Sequence, residues 1–238
     1  MTDKYSHDGW EAYYRENFGE PAWGGSPDSY LAEHRGLLEM NGSDTVLDVA
    51  CGDGRNSSLM IGKAQTIVGI DLSLSGLRTF RDRFMESGWL LPVLIHGDFL
   101  SAPLISSQFD LVVCINSVPH FEVPRHCLEK ITSLLKLGGR ALFNAFTPND
   151  VAFGLGQQVS ASTFQYRDTL FKFHTHDEMK DLLPDNLSII KTEVVSWEEP
   201  DHGDYRKGSH IHEASYFIVE KHFQRVMISG REFHIGSE

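Results

Sequence analysis

The sequence predicts an α/β fold: a doubly wound, mostly parallel sheet that an antiparallel hairpin closes near the C-terminus. Between residues 45 and 146, short apolar runs alternate with helical segments, and strands joined in this way pair in parallel through right-handed crossovers. The runs are almost continuously apolar, which is typical of strands covered on both faces. Two later apolar runs have only a polar loop between them, and this spacing favours a hairpin.

Two helices are predicted ahead of the sheet, within residues 1–42. In residues 8–18, aromatic side chains recur at four-residue spacing, as they do in an amphipathic helix. Ser26 and Pro27 have the residue types of an N-cap and a first helical position, so a second helix is expected to reach Met40. The aromatic residues of the first helix are Trp10, Tyr14 and Phe18.

The segment of residues 43–146 holds five predicted strands and the helices between them. The strands are expected at 45–50, 66–71, 91–99, 109–116 and 140–146. The helices are expected from about Arg55, from Ser73 to about Met85, and over 121–136. In such a sheet the carboxyl ends of the strands meet at one edge, where an open α/β sheet binds its ligand.

Beyond the parallel strands the periodic pattern weakens. Residues 146–173 show no clear period, and loops of that length inside a compact domain usually serve binding. Thr175 and Glu178 have the spacing of a capping box, which predicts a short helix through Leu183. The hairpin strands are expected at 187–197 and 212–222, and residues 223–238 follow as an extension.

The charge balance restricts the partners that the chain can have. Its 238 residues include 21 Lys and Arg against 33 Asp and Glu, a formal charge of −12. An acidic chain is a poor match for nucleic acid or for an anionic membrane surface. The sequence therefore predicts a small-molecule partner, and it leaves the oligomeric state open.

The cytoplasm is the expected location. No run approaches the ~18 apolar residues of a membrane span, and the first residues lack the apolar core of a signal peptide. The three cysteines, Cys51, Cys114 and Cys127, are odd in number and fit no zinc spacing. They are expected to be reduced, and Cys51 and Cys114, on predicted strands or their ends, are expected to be buried.

A carboxylate and two glycines mark the end of the first strand, in the segment VLDVACGDGRNS. Asp48 lies within the strand, where an acid is costly unless it is hydrogen-bonded. Gly52 and Gly54 require a sharp turn or a close approach of the backbone to a ligand. Asp71 and Asp98 end the next two strands. Three carboxylates are therefore expected around one crevice, with Asp71 placed to accept hydrogen bonds from a ribose.

Two kinds of cofactor are considered for this crevice. A dinucleotide site would have a third glycine, where Ser57 stands here, so that a pyrophosphate reaches the helix N-terminus. Asp48 and Asp53 instead add negative charge at that place, which favours a cationic ligand. S-adenosylmethionine is such a ligand, because it carries ammonium and sulfonium groups and offers a ribose to Asp71.

Five segments together resemble the class I S-adenosylmethionine-dependent methyltransferases over roughly residues 45–145. VLDVACGDG is similar to their motif I, although Ala50 replaces the first glycine, so the turn must accommodate a methyl group. The other segments are VGIDLS, HGDF, FDLVVCINSVPHF and LLKLGGRALF. CGDGRNSSLM is particularly similar to the tellurite-resistance branch, whose members methylate small or soft acceptors.

The resemblance implies a Rossmann-like, seven-stranded architecture in which an enzyme moves the methyl group of S-adenosylmethionine to a small-molecule acceptor by in-line displacement. It also implies four regions: a helical lid (1–42), a cofactor-binding core (43–146), an acceptor-side loop with closing helix and hairpin (147–222), and a C-terminal extension (223–238). The residues expected to bind the cofactor are Asp48, Ala50, Cys51, Gly52, Gly54, Asn56, Asp71, Leu72, Asp98, Phe99, Asn116 and Ser117.

Histidines supply the candidates for chemistry. His120 follows the fourth strand near the expected methyl position and is the candidate general base, with a structural histidine as the alternative. The loop of the closing hairpin is expected either to reach over the acceptor or to be a solvated tip. A metal site of His202, His210 and His212 is conceivable on a strand face, but no converging ligands are evident and no metal is predicted. The candidate acceptor-binding residues are His202, Tyr205, Arg206 and His210.

Two other functions stay open at this point. An NAD-linked oxidoreductase would use a related sheet, but the missing third glycine and the extra acids argue against it. A non-catalytic S-adenosylmethionine-binding regulatory protein would keep the same motifs, because these report cofactor binding and not turnover.

Overall fold

The structure, a computed structural model, describes residues 4–16, 25–199, 208–228 and 231–235. The strands are β1 (Thr45–Val49), β2 (Thr66–Asp71), β3 (Val93–His96), β4 (Phe109–Cys114), β5 (Leu135–Phe146), β6 (Gln157–Ser160), β7 (Thr163–Tyr166), β8 (Thr169–Lys172), β9 (Leu187–Glu199), β10 (His210–Lys221), β11 (Gln224–Ile228) and β12 (Arg231–Ile235). The α-helices are α1 (Lys4–Glu16), α2 (Ser29–His34), α3 (Leu74–Glu86), α4 (Pro124–Leu134) and α5 (His176–Asp181).

Seven strands form the central sheet, in the order β3-β2-β1-β4-β5-β10-β9. The first five of these pair in parallel, and β10 runs antiparallel to both β5 and β9. The predicted fold class is therefore confirmed, together with its closing hairpin. The strand order reverses between β1 and β4, which is the position where sheets of this kind open a crevice for a ligand.

Apolar side chains cover both faces of the central sheet. Alternate residues of a strand point to opposite faces, so Leu47 and Val49 lie in one buried cluster and Val46 lies in the other. The first cluster includes Leu128 of α4 and Met179 of α5, and the second receives residues of α2 and of β7 and β8. This double coverage explains why the strands read as continuous apolar runs.

The second predicted helix begins later than expected. Asp28, not Ser26, is the N-cap of α2, because its carboxylate accepts a hydrogen bond from the Leu31 amide at 3.0 Å. The Tyr216 hydroxyl donates to the other oxygen of the same carboxylate at 2.8 Å. The helix then ends in a 3-10 turn at Leu38, short of the predicted Met40.

The helix predicted from Arg55 is also wrong, since the chain makes only a 3-10 turn over Ser57–Met60. The Ser57 hydroxyl donates to Asp48 at 2.6 Å, and the Ser58 hydroxyl donates to the carbonyl of Arg55 at 2.6 Å. Serines that bond to nearby groups in this way offer the backbone an alternative to a helix.

The stretch 146–173 is not an uncommitted loop. Strands β6, β7 and β8 form a three-stranded antiparallel sheet within it, and Phe164 and Phe171 are buried there. Each of these strands has four residues. A strand that short shows too few alternations for a period to be recognised in the sequence.

The remaining elements follow the prediction more closely. The Ser73 cap of α3 and the Thr175–Glu178 capping box of α5 are both observed, whereas α4 starts only at Pro124 and leads directly into β5. The first helix is seen as α1, and predicted residues 17 and 18 lie outside the described part. The extension contains the antiparallel pair β11 and β12.

Among the described residues, no helix is both long and apolar enough to cross a bilayer.

Candidate functional site

A turn with three positive φ angles follows β1. Ala50, Gly52 and Gly54 have φ values of 52°, 51° and 75°. A Cβ at Gly54 would lie 2.2 Å from a ring carbon of Phe80, so the packing of α3 requires a glycine there. Ala50 is exposed to the crevice, which explains how the turn accommodates the methyl group that replaces the first glycine of the motif.

Asp71 is held rigidly at the end of β2. One carboxylate oxygen accepts a hydrogen bond from the Gly52 amide at 2.8 Å, and the other accepts one from the Ser73 amide at 2.7 Å. The side chain is 8% exposed, and this burial raises the pKa of Asp71 to about 6 in spite of the two amides. The carboxylate therefore joins the glycine turn to the start of α3 and still faces the crevice.

Asp48 lies beneath the turn and does not contact the crevice. It is 2% exposed, and the Ser57 hydroxyl donates to it. Burial raises the pKa of Asp48 to about 7. A buried carboxyl group with a pKa near 7 loses its proton when a cation binds nearby, because the positive charge stabilises the carboxylate.

The crevice is a cavity of about 440 Å³ at the carboxyl ends of β1, β2 and β4. Nine of the predicted site residues line it, namely Ala50, Cys51, Asn56, Asp71, Leu72, Asp98, Asn116, Ser117 and His120. Four others, Asp48, Gly52, Gly54 and Phe99, lie behind the wall and do not line it. Phe99 is a core residue against Phe121, whose ring centroid is 6.0 Å away and which does line the cavity.

Hydrogen bonds inside the chain fix several of the lining side chains. The Asp98 carboxylate accepts from the amides of Leu100 and Ser101 at 3.1 and 3.0 Å, so it caps its own turn while it faces the cavity. Asn116 has a φ of 56° and exchanges two hydrogen bonds with the buried Asn144. These bonds give the loop after β4 one defined conformation.

His120 is enclosed between aromatic rings. Its Nδ1 donates to the carbonyl of Leu170 at 2.7 Å, and its ring packs edge-on against Trp10 and Phe171 at 5.1 and 4.8 Å. Burial lowers the pKa of His120 to about 4. The imidazole is therefore neutral at pH 7.

Helix α1 closes one side of the cavity, and the sequence indicated this only through its aromatic spacing. Glu11 accepts hydrogen bonds from the Ser73 hydroxyl at 2.8 Å and from the Ser75 hydroxyl at 2.7 Å, at the start of α3. Trp10 lines the cavity. The Tyr14 hydroxyl covers Gly52 so closely that a Cβ there would lie 2.0 Å from it.

The far end of the cavity is formed by the closing hairpin and the strands beside it. Its apolar walls are Ile115, Phe146, Ala152, Phe171 and Trp197. Glu199 and His212 bring polar atoms to the same end. The Nδ1 of His212 lies 2.8 Å from Asp150. Burial acts to lower the pKa of His212, but the hydrogen bond and charge of Asp150, together with Glu199, raise it overall.

Sequence reasoning missed most of this far end. Asp150 and His212 are 62 positions apart, so nothing in the sequence indicates that they are in contact. Strand β9 continues two residues beyond its predicted end, and only this places Glu199 on the same face of the strand as Trp197. Of the predicted acceptor-binding residues, His210 is buried just behind the cavity wall. His202, Tyr205 and Arg206 lie outside the described residues.

Known proteins resemble this chain in sequence and in fold. Residues 47–143 match the model of a family described as a methyltransferase domain. The ubiquinone biosynthesis O-methyltransferase of Azoarcus sp. (strain BH72) is 32% identical over 143 residues, which cover 60% of each chain. The enzyme of the same name from Thiobacillus denitrificans is 30% identical over 63% of this chain and 62% of its own length. The chain thus spans about three fifths of the length of these curated relatives.

A solved structure supports the fold. A putative methyltransferase from Bacillus halodurans superimposes with a TM-score of 0.65, at 17% identity, over 82% of this chain and all of its own. At that identity the likeness shows the fold alone, and it agrees with the strand order of the central sheet.

Proposed function

We propose that this chain, whose residues 47–143 match a methyltransferase domain, is a class I S-adenosylmethionine-dependent enzyme that transfers a methyl group from S-adenosylmethionine to a small-molecule acceptor. The family predicted from the sequence is thereby confirmed. The closer likeness to the tellurite-resistance branch stays a prediction.

The residues present fit the methyl donor, and Asp71 carries this conclusion. Its carboxylate is oriented by two backbone amides, faces the cavity and ends β2, where it can accept hydrogen bonds from two ribose hydroxyls. The carboxylates of Asp71 and Asp98 at the cavity wall suit a ligand with ammonium and sulfonium groups, whereas Asp53 is paired with Arg83 at 3.1 Å. A cavity of about 440 Å³ is also within the usual size range of small-molecule sites.

The proposed roles of the site residues follow from their positions. Asp71 and Leu72 hold the ribose, Asp98 faces the adenine, and Asn116 and Ser117 contact the methionine part. Ala50, Cys51 and Asn56 line the turn, while Asp48, Gly52, Gly54 and Phe99 support it from behind. Tyr14 and Trp10 of α1 cover the bound cofactor, as a lid would.

Bound S-adenosylmethionine supplies an electrophilic methyl group on a positively charged sulfur. The chain's own contribution is to align the acceptor with that group and to exclude water. Trp10, Phe146 and Phe171 make the enclosure apolar. His120 remains the proposed catalytic side chain beside the reacting groups, as a neutral imidazole whose pKa of about 4 makes it a weak base.

We propose an oxygen atom of a flat, largely apolar molecule as the acceptor. The curated relatives are O-methyltransferases by name, and the far end of the cavity combines aromatic walls with the polar side chains of Glu199 and His212. The residues proposed to bind the acceptor remain His202, Tyr205, Arg206 and His210. The acidic balance of the chain supports the further proposal that it binds neither nucleic acid nor membranes. The cytoplasmic location stays a prediction.

Calorimetry with S-adenosylhomocysteine, with NADH in parallel, tests the cofactor. We expect micromolar binding of the first ligand alone, and binding of NADH alone would support the oxidoreductase instead. A panel of phenols, amines and thiols with radiolabelled methyl donor then tests turnover. We expect methylated phenols. Tight cofactor binding without any methylated product would favour the non-catalytic regulatory protein.

A further inference from the structure

Two histidines and a carboxylate converge at the mouth of the closing hairpin. Glu199, His210 and His212 each present one potential ligand atom, and these three atoms lie within 4.8 Å of one another. The Nε2 of His212 is 3.5 Å from Oε2 of Glu199. Two atoms bound to one tetrahedral Zn²⁺ at about 2.1 Å each would be about 3.4 Å apart, so the distance between His212 and Glu199 is already that of two ligands of one metal ion.

Strand register explains why these side chains meet. His210 of β10 is directly opposite Glu199 of β9 in the antiparallel pair, and residues that face each other in this way have neighbouring side chains. His210 and His212 are two positions apart, so they share one face of the strand. Their ring centroids are 4.9 Å apart.

Each histidine is oriented by a bond at its other nitrogen. The Nδ1 of His210 is 3.1 Å from the carbonyl of Gly208, and the Nδ1 of His212 is 2.8 Å from the carboxylate of Asp150. Both partners are acceptors, so each Nδ1 carries the proton. In the neutral rings the lone pair is then on Nε2. Metal-binding histidines are held by the same kind of bond.

The carboxylate is oriented as well. The indole N–H of Trp197 donates to Oε1 of Glu199 at 2.9 Å, while Oε2 faces His212. Two imidazole lone pairs and a carboxylate in one largely buried place repel each other unless a positive charge is bound among them. A bound divalent metal ion supplies such a charge.

We propose that Glu199, His210 and His212 bind a divalent transition-metal ion, with Zn²⁺ as the best match, at the acceptor end of the cavity. Two nitrogen donors and one oxygen donor suit Zn²⁺ and similar ions, whereas Mg²⁺ and Ca²⁺ prefer oxygen ligands only. Because Glu199 and His212 line the cavity, the coordination position that the protein leaves open faces the acceptor.

The role of the ion rests on the proposed methyl transfer, but its binding does not. An oxygen of the acceptor would take the open position and be held for alignment with the methyl group. The sequence suggested His202 as the third donor beside the two histidines. The structure brings Glu199 to that place instead, and His202 lies outside the described residues.

Titration of the full, chelator-stripped and untagged chain with Co²⁺ tests the site, because the visible bands of bound Co²⁺ report its ligands. We expect one equivalent to bind and to be displaced by Zn²⁺ and not by Mg²⁺. Glu199→Gln and His210→Gln should each weaken binding at least about tenfold, and Asp150→Asn should weaken it by about 10–100-fold through the orientation of His212. His126→Gln, on the exposed side of α4, should bind as the unchanged chain does.

Two results would overturn the proposal. One is a folded wild-type chain that binds neither Co²⁺ nor Zn²⁺, in which case His212 holds a proton between Asp150 and Glu199. The other is Co²⁺ binding that remains unchanged in both Glu199→Gln and His210→Gln. Calorimetry with S-adenosylhomocysteine on the same samples verifies folding and separates the two proposals, since loss of metal binding with cofactor binding intact contradicts only the metal site.

Discussion

For single residues near the glycine turn, the sequence predicts some of the side chains that line the cavity and misplaces others. Asp71 could be predicted to lie at the crevice because it ends the parallel strand that follows the glycine turn, and the structure places its carboxylate between two amides at the cavity wall. Phe99 illustrates the limit of that reasoning. Its neighbour Asp98 faces the cavity, but the chain turns after β3 and Phe99 is buried in the core against Phe121.

Asp71→Asn should weaken the binding of S-adenosylhomocysteine by about 1–3 kcal/mol, because the charge that strengthens the ribose hydrogen bonds is lost. The amide oxygen can still accept from one of the two backbone amides, so folding should persist. Calorimetry measures the affinity, and circular dichroism verifies the fold. Asp82→Asn removes the same charge beside Arg81 on the exposed part of α3 and should have no effect. Equal affinities for the two variants would exclude Asp71 from the ribose site.

At the scale of elements, the parallel strands could be predicted and the elements around them could not. Strands β1 to β5 are covered on both faces, and their apolar runs are visible in the sequence. The small sheet β6–β8 has strands of four residues and gains its buried side chains only by packing on the larger core. The position of α1 depends on Glu11 and Ser75, which are 64 residues apart.

Glu11→Ala should loosen α1 from α3, because the bonds to Ser73 and Ser75 are lost. Hydrogen exchange should become faster in residues 9–16. Affinity for S-adenosylhomocysteine should fall by about 1–2 kcal/mol, since Tyr14 and Trp10 no longer stay over the site. Glu16→Ala, exposed at the end of the same helix, is the control. Exchange rates that do not differ between the two variants would show that Glu11 does not hold the helix.

For the whole molecule, burial of acids at one sheet edge couples proton binding to folding and to ligand binding. Burial raises the pKa values of Asp48 and Asp71 to about 7 and about 6. The folded chain therefore holds more protons than the unfolded chain between about pH 4 and these values, and the contribution of both acids to stability falls as the pH rises. His120 acts in the opposite sense, because its lowered pKa makes stability rise from about pH 4 to its unfolded value near 6.5.

The affinity for S-adenosylmethionine should rise with pH through the same range. A ligand that requires the ionised form of Asp71 finds only about a tenth of the molecules competent at pH 5, so its Kd should be about tenfold higher there than at pH 7. Calorimetry at the two values, in two buffers with different ionisation enthalpies, measures both the affinity and the protons released at low pH. In Asp71→Asn the pH dependence should become weaker, and the part that remains is assigned to Asp48, whose pKa of about 7 lies in the same range. A Kd that is the same at pH 5 and pH 7 in the unchanged chain would mean that Asp71 is already ionised before the ligand arrives, and that burial at this edge of the sheet does not control binding.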